Sequence, residues 1–448
     1  MKKINITAYK TEALTTLQLG YPIVISQLGI VAMGVTDTIQ VGQIEGKSAV
    51  SVAAAGLSSS LGFTLAIIVI VTLGIVAPMI SKAKAEENEG EIRLLFKAAL
   101  RVCWYLGSLT VFLCLIAGFF FDKMGQEPEV VAAALPFNAL MSVSMLPLLL
   151  FTALRQLSDG LGRTKIAMVI TLSAVFLNIF LNWLLINGVW VFPRLELIGS
   201  GLATLISRSY MAISLWIVIH REPLFKVYTV KAQDNIKELV TKIIKIGIPS
   251  GLQGFFEVGV FALAVVIIGW YGKYQQAAHL IAINMCSVTY MMVTGIASAG
   301  GIRVGHFWGL KDKPQMVVAG NTALSIGGGF MALCALVFFV FPTFLIGLYT
   351  KDAAVVPIAT TLLLIGGLFQ LSDGLQATAL GILRGIADVN VPTLITLFAY
   401  WIVGLPIGYA LGQFYDLKAA GIWLGLTAGL TASAVLLCWR FFKMVRRV

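Results

Sequence analysis

YPIVISQLGIVAMGVTDTIQVG, residues 21–42, holds one charged side chain, Asp37, in a stretch that is otherwise uncharged and mostly apolar. A helix of about 20 apolar residues crosses a bilayer, so this segment reads as a membrane span with an acid inside it. Two further acids share that setting: Glu257 in GIPSGLQGFFEVGVFALAVVIIGW (247–270) and Asp373 in LLLIGGLFQLSDGLQATALGIL (362–383). A charge at the bilayer centre costs roughly 2.5–3.5 kcal/mol on the mildest insertion scale, and such residues usually face a cavity or a partner. The plain alternative is a protonated acid used for helix packing. Three acids so placed in one chain favour a functional reading, because carboxyl oxygens release protons or hold hard cations.

The rest of the chain fits this setting. Of its 448 residues, 58% are hydrophobic and 12% charged, against about 25% charged in a typical soluble domain. The mean hydropathy is +0.92. Apolar runs recur near 14–42, 50–80, 96–121, 132–157, 166–187 and 198–220, then near 241–270, 276–308, 315–348, 355–385, 392–415 and 420–440. The expected fold is an all-α polytopic membrane protein with about twelve transmembrane helices. The polar segment 221–240 separates an N-lobe, 1–220, from a C-lobe, 241–448. MKKINITAYKTEAL lacks the short core and cleavage site of a signal peptide. The five cysteines (Cys103, Cys114, Cys286, Cys334, Cys438) lie in apolar runs without metal-type spacing and read as small hydrophobes.

Basic residues set the orientation, because Lys and Arg concentrate in cytoplasmic loops. With the N-terminus inside, 25 fall on the cytoplasmic side, including Arg155, Arg384 and the C-terminal tail. Six fall outside (Lys47, Lys123, Arg194, Lys273, Lys351, Lys418), and Arg208 lies within the sixth span. Both termini and the central segment are therefore expected in the cytoplasm. The net charge of +11 then reflects topology and anionic lipid rather than nucleic acid.

The two halves are also related. A shift of 227 residues places Gly20 on Gly247, Pro22 on Pro249, Gly42 on Gly269, Ala55 on Ala282, Gly74 on Gly301, Ile75 on Ile302 and Lys84 on Lys311. Six helices per half predict a parallel repeat about an axis normal to the membrane, an architecture suited to alternating access. LSDG at 157–160 and 371–374 has an offset of 214 and reads as coincidence.

The pattern P22…D37-T-x-x-x-G42, with Glu257 in the seventh helix and FQLSD373 in the tenth, resembles the multidrug and toxic compound extrusion (MATE) family, most closely its NorM-type branch. The resemblance spans essentially the whole chain. It implies a cation-driven antiporter exporting amphipathic, often cationic, compounds in exchange for Na⁺ or H⁺, from the inner membrane, as a monomer and without any other cofactor. It places an N-lobe cation site on Asp37, Asn178 and Asn182, with Thr204 as a further oxygen. Positions four apart share a helix face, so both amides can point to one place. Some family members carry a carboxylate where Asn182 stands, so an Asp-pair proton switch is not expected here. Glu257 and Asp373 match the family's C-lobe acids and form the second place for Na⁺. Gln253 and Gln370 lie three to four positions before these acids and are expected beside them. Phe369, where some relatives carry Tyr, offers an apolar contact. Pro22 is the family's helix-one hinge, although a static kink fits equally; Pro249, Pro392 and Pro406 also invite kinks.

Other candidates carry less. Asp352 reads as an exposed loop acid beside Lys351, and Arg208 as a structural or snorkelling residue. His220, His279 and His306 lie near span ends, away from any proton relay. The Met-rich run 285–293 reads as ordinary packing rather than a drug lining. A lipid-linked oligosaccharide flippase of the same superfamily is the nearest alternative, disfavoured by the absence of extra helices and of a basic cavity apart from Arg208. No GxGD, HExxH or paired catalytic His supports an intramembrane enzyme, and a receptor would not need acids in both halves.

Overall fold

The protein is seen in a computed structural model that describes residues 6–124, 127–229 and 236–447. Lys2 and Lys3 of the basic N-terminus and residues 230–235 of the connecting segment lie outside the described residues. Among the described residues, twelve helices are long and apolar enough to span a membrane: α1 Thr7–Val41, α2 Ser48–Ala85, α3 Glu89–Gly118, α4 Pro128–Gly160, α5 Thr164–Asn187, α6 Glu196–Arg221, α7 Ile236–Gly269, α8 Lys273–Gly309, α9 Lys313–Val340, α10 Val356–Gly385, α11 Asn390–Gln413 and α12 Lys418–Arg446. Side-chain caps start two of them: Asn88 accepts from the Glu91 amide at 3.0 Å, and Asp312 from the Gln315 amide at 3.1 Å. Phe176, Leu336, Ile402 and Val435 leave large apolar surface outward, as lipid-facing helices require.

The chain forms two compact units, one of Met1–Val24 with Leu252–Val448 and the other Ile25–Gly251. These are not the halves 1–220 and 241–448 drawn from the sequence. The chain passes from one unit to the other inside α1 and again inside α7, each time two residues after a proline, Pro22 or Pro249. The two crossing points are themselves 227 positions apart. The most polar connection, 221–240, is therefore not a unit boundary. Packing of apolar helix faces, not loop polarity, sets where the units part.

Packing within the units repeats. In the second unit α4 is central and touches α2, α3 and α6; in the first, α10 is central and touches α8, α9 and α12. The entering segments repeat too. In the first unit, Gly20 of α1 faces Ala299 of α8, where a Cβ at Gly20 would sit 3.5 Å from the Ala299 Cβ. In the second, Thr72 of α2 donates from Oγ1 to the Gly247 carbonyl of α7 at 3.0 Å. Ala299 is the 227-shift counterpart of Thr72, and Gly20 of Gly247. Glu12 further fastens α1 in the first unit, accepting both Nε and Nη2 of Arg303 at 2.7 and 2.6 Å.

The register slips further along. Glu87 after α2 and Lys311 after α8 both have positive φ, 55° in each case, and they lie 224 apart. Lys84 and Lys311 are therefore not structural counterparts: Lys84 is still helical and donates to the Leu161 carbonyl at 2.9 Å. The two LSDG copies occupy different places, at the end of α4 and in the middle of α10. Asp159 forms a buried ion pair with Arg155 at 2.9 Å, which removes Arg155 from the loop charges counted above. α11 contains a π-helical stretch over Phe398–Gly404, just before Pro406. Its widened turn is the kind of local defect that re-aims side chains.

Candidate cation sites

The second unit gathers Asp37 from α1, Asn178 and Asn182 from α5, and Thr204 from α6. Asn182 Nδ2 donates to Asp37 Oδ1 at 2.5 Å and lies 3.3 Å from Asn178 Oδ1. Thr204 Oγ1 donates to Asp37 Oδ2 at 2.8 Å. Both amides are fully buried and Thr204 is 2% exposed. The four residues expected from the sequence thus form one cage. Two of its atoms are buried without a partner among the described residues, Asn178 Nδ2 and Asn182 Oδ1. Such orphans are costly and rare in native interiors. Turning the Asn182 amide would bring its oxygen to the carboxyl, so the cage can offer donors to a bare carboxylate or oxygens to a bound cation.

The first unit builds a different site. Glu257 of α7 is approached at Oε1 by Tyr290 of α8 (3.3 Å), Tyr400 of α11 (3.4 Å) and Gln376 Nε2 of α10 (3.5 Å). These are long for hydrogen bonds, whose O–H···O optimum is near 2.7 Å. Tyr400 donates more closely to Gln376 Oε1, at 2.5 Å. Asp373, 3% exposed, has no hydrogen-bond partner among the described residues, and Glu257 is its electrostatic neighbour. Two acids and the hydroxyl oxygens of Tyr290 and Tyr400 make an oxygen-rich, loosely bonded group suited to a hard cation, with the Gln376 amide turning its N–H toward Glu257.

The two expected amide neighbours go elsewhere. Gln253 accepts from Arg384 Nη2 at 3.1 Å, and Gln370 donates to Thr289 Oγ1 at 2.6 Å, leaving its own Oε1 buried and unpaired. Shared helix face brings residues near; the better partner decides the bond. Arg384, counted above as a loop charge, lies in the last turn of α10 and turns inward to Gln253. Phe369 packs against Phe261 and Trp423, with ring centroids 6.0 and 5.7 Å away. Sequence reading missed Tyr290, Tyr400 and Gln376. Pro406 was the one usable signal, since the π stretch that carries Tyr400 precedes it.

The remaining candidates settle plainly. Asp352 is exposed and caps its own loop, accepting from the Ala354 amide at 2.8 Å. His279 is fully buried and its Nδ1 accepts from Trp423 Nε1 at 3.0 Å. His220 Nδ1 lies 2.8 Å from the Trp216 carbonyl.

Repeated spanning helices with carboxyls set in each unit define a polytopic membrane transporter of two related segments. The MatE family model matches residues 22–184 and again 249–410; the two matches start 227 positions apart, at Pro22 and Pro249. The "Probable multidrug resistance protein NorM" of Rhizobium meliloti is 32% identical over 452 residues, covering 98% of this chain and 95% of that protein. The protein of the same name from Bacillus cereus is 31% identical over 451 residues, with 98% of each covered. Among solved structures, the eukaryotic MATE transporter AtDTX14 superposes with a TM-score of 0.89 at 17% identity, covering 98% of both chains. A MATE structure in the bent conformation gives 0.88 at 16%; at such identities the likeness speaks for the fold alone. The chain belongs to the MatE family of multidrug efflux transporters.

Proposed function

We propose that the protein is a secondary antiporter in the cytoplasmic membrane, exporting amphipathic, often cationic, compounds in exchange for Na⁺ by alternating access, with both termini inside. One observation carries the reading: carboxyls lie inside the membrane spans of both units, each within a polar cage drawn from several helices. A bare carboxylate in hydrocarbon is costly, so each cage favours either a bound cation or a cationic cargo. Exchange follows when the two ligands prefer different states, because a ligand that binds both states equally shifts neither. The oxygen-rich pair Glu257 and Asp373 supports Na⁺ over H⁺, since a proton would need one acid and no neighbouring hydroxyl oxygens.

The test is ethidium efflux from proteoliposomes under a Na⁺ gradient and a pH gradient imposed separately. Efflux driven by Na⁺ at equal pH is the expected result. Efflux driven by the pH gradient alone would replace Na⁺ with H⁺, and efflux driven by neither would overturn the antiport reading.

A further inference from the structure

Arg208 sits near the middle of α6, about 18 Å from either end at 1.5 Å per residue. That distance is beyond the reach of its side chain, so snorkelling, one of the two roles expected above, does not apply. Nor does it face lipid. The exposed residues of α6 nearest to it are Ile206, Tyr210 and Ile213, which at 100° per residue fall on the opposite side of the helix. Arg208 instead continues a polar stripe with Ser200 and Thr204, one turn apart each. Thr204 is the residue that bonds Asp37, and Asp37 is the acid whose charge acts on Arg208.

The guanidinium is under-used. Nη1 donates to Ser144 Oγ of α4 at 2.7 Å and lies 3.7 Å from Met145 Sδ. It has no ion pair within 4.0 Å among the described residues. Of its five N–H donors, those on Nε and Nη2 have no hydrogen-bond partner among the described residues, and the residue is half-buried rather than sealed in the core. A membrane-embedded guanidinium with open donors and no carboxylate is an incomplete bidentate fork.

We propose that Arg208 is a specificity-determining residue that binds a carboxylate of the cargo while Asp37 receives the cargo's cationic group, so that the second unit selects zwitterionic amphiphiles. The proposal rests on the export reading above. The geometry gives both halves of the recognition: an acid caged by Asn182 and Thr204, and one turn along the same stripe a cation with free donors. A cargo bridging them leaves neither charge unpaired in the membrane. A cationic cargo without an acid would satisfy Asp37 alone.

The matched probes are rhodamine 110, which carries a free carboxyl, and rhodamine 123, its methyl ester. Their affinities for the purified full-length protein are measured by fluorescence anisotropy in wild type, Arg208→Gln, Arg208→Lys and Ser144→Ala. Wild type should bind rhodamine 110 about tenfold more tightly than rhodamine 123, the size of one charge-assisted hydrogen bond. Arg208→Gln should abolish that ratio and Arg208→Lys should keep part of it. Ser144→Ala, which frees Nη1 and leaves the charge, should keep the ratio or raise it. The proposal is overturned if wild type does not prefer rhodamine 110, or if the ratio survives Arg208→Gln. Should Arg208→Gln not fold, a ratio left whole in Arg208→Lys or lost in Ser144→Ala overturns it. Failure of wild-type vesicles to move either dye would count against the export reading instead, because binding is read without transport.

Discussion

The two candidate cation sites rest on the same scaffold and are built by opposite means. In the second unit one acid, Asp37, is held by two short bonds from fully or nearly fully buried partners. In the first, two acids act on one another electrostatically; one receives only long hydrogen bonds and the other none among the described residues. The helix packing around them repeats, with α4 and α10 as equivalent hubs, yet no acid of one site is the counterpart of an acid in the other. Under the 227 shift Asp37 falls on Ala264, and Asp373 on Leu146. A repeat conserves the frame that bears load in packing, while polar sites are written separately on each copy. On the proposed function, the tight site suits a group that arrives already charged and oriented, such as a cargo ammonium, and the loose acidic pair suits a small cation.

The sharpest way to break this comparison is to remove the charges site by site. Glu257→Gln combined with Asp373→Asn should take Na⁺-driven ethidium efflux to the background of empty vesicles, because both anions that the cation would balance are gone. Asp37→Asn should lower efflux about tenfold, from the loss of charged hydrogen bonds, yet leave Na⁺ binding by calorimetry in place. Na⁺ binding lost equally in both variants would show that the sites are one functional unit rather than two.

A smaller effect separates the hydroxyl oxygens from the acids. Tyr400→Phe removes one contact to Glu257 and the closer bond to Gln376, and the ring still packs against Phe261, whose centroid is 6.3 Å away. A lost hydrogen bond of about 1 kcal/mol corresponds to roughly a fivefold rise in the half-saturating Na⁺ concentration, with little change in maximal rate. An unchanged Na⁺ dependence would remove Tyr400 from the site and leave it a packing residue.

Much of this was legible in the sequence, and the parts that were not share one cause. Hydropathy and length gave the twelve spans, with ends up to eight residues off where amphipathic or capped turns extend or shorten a helix, because bilayer thickness imposes the apolar length and not the helix ends. The second-unit cage was legible because Asp37 is an acid in an apolar span and the family resemblance supplied Asn178, Asn182 and Thr204, with the two amides one turn apart. The first-unit site was only half legible. Tyr290, Tyr400 and Gln376 reach Glu257 from three other helices, which no spacing within one helix reveals. Gln253 and Gln370 lie on the expected faces, but Arg384 and Thr289 are better partners for them than the acids. The crossing of the chain between units inside α1 and α7 was hidden as well, since the polar 221–240 segment looked like the natural seam. What the sequence does not display is competition between packing partners.

The crossing itself offers the finest test of how alike the halves are. Gly20 and Gly247 are repeat counterparts at equivalent crossings, but their surroundings differ. A Cβ at Gly20 would meet Ala299 Cβ at an ordinary 3.5 Å, whereas at Gly247 it would fall 2.9 Å from the Thr72 carbonyl oxygen and 3.2 Å from its Cα. Backbone cannot yield as a flexible side chain can, so α7 must move away from α2, stretching the Thr72 bond to Gly247. Gly247→Ala should therefore cost about 1–3 kcal/mol as an overpacked contact and lower the Tm of the purified protein by a few degrees. Gly20→Ala should leave Tm within a degree. Equal shifts in the two variants would mean that both crossings are packed alike, and that the repeat extends to the fit between helices and not only to their order.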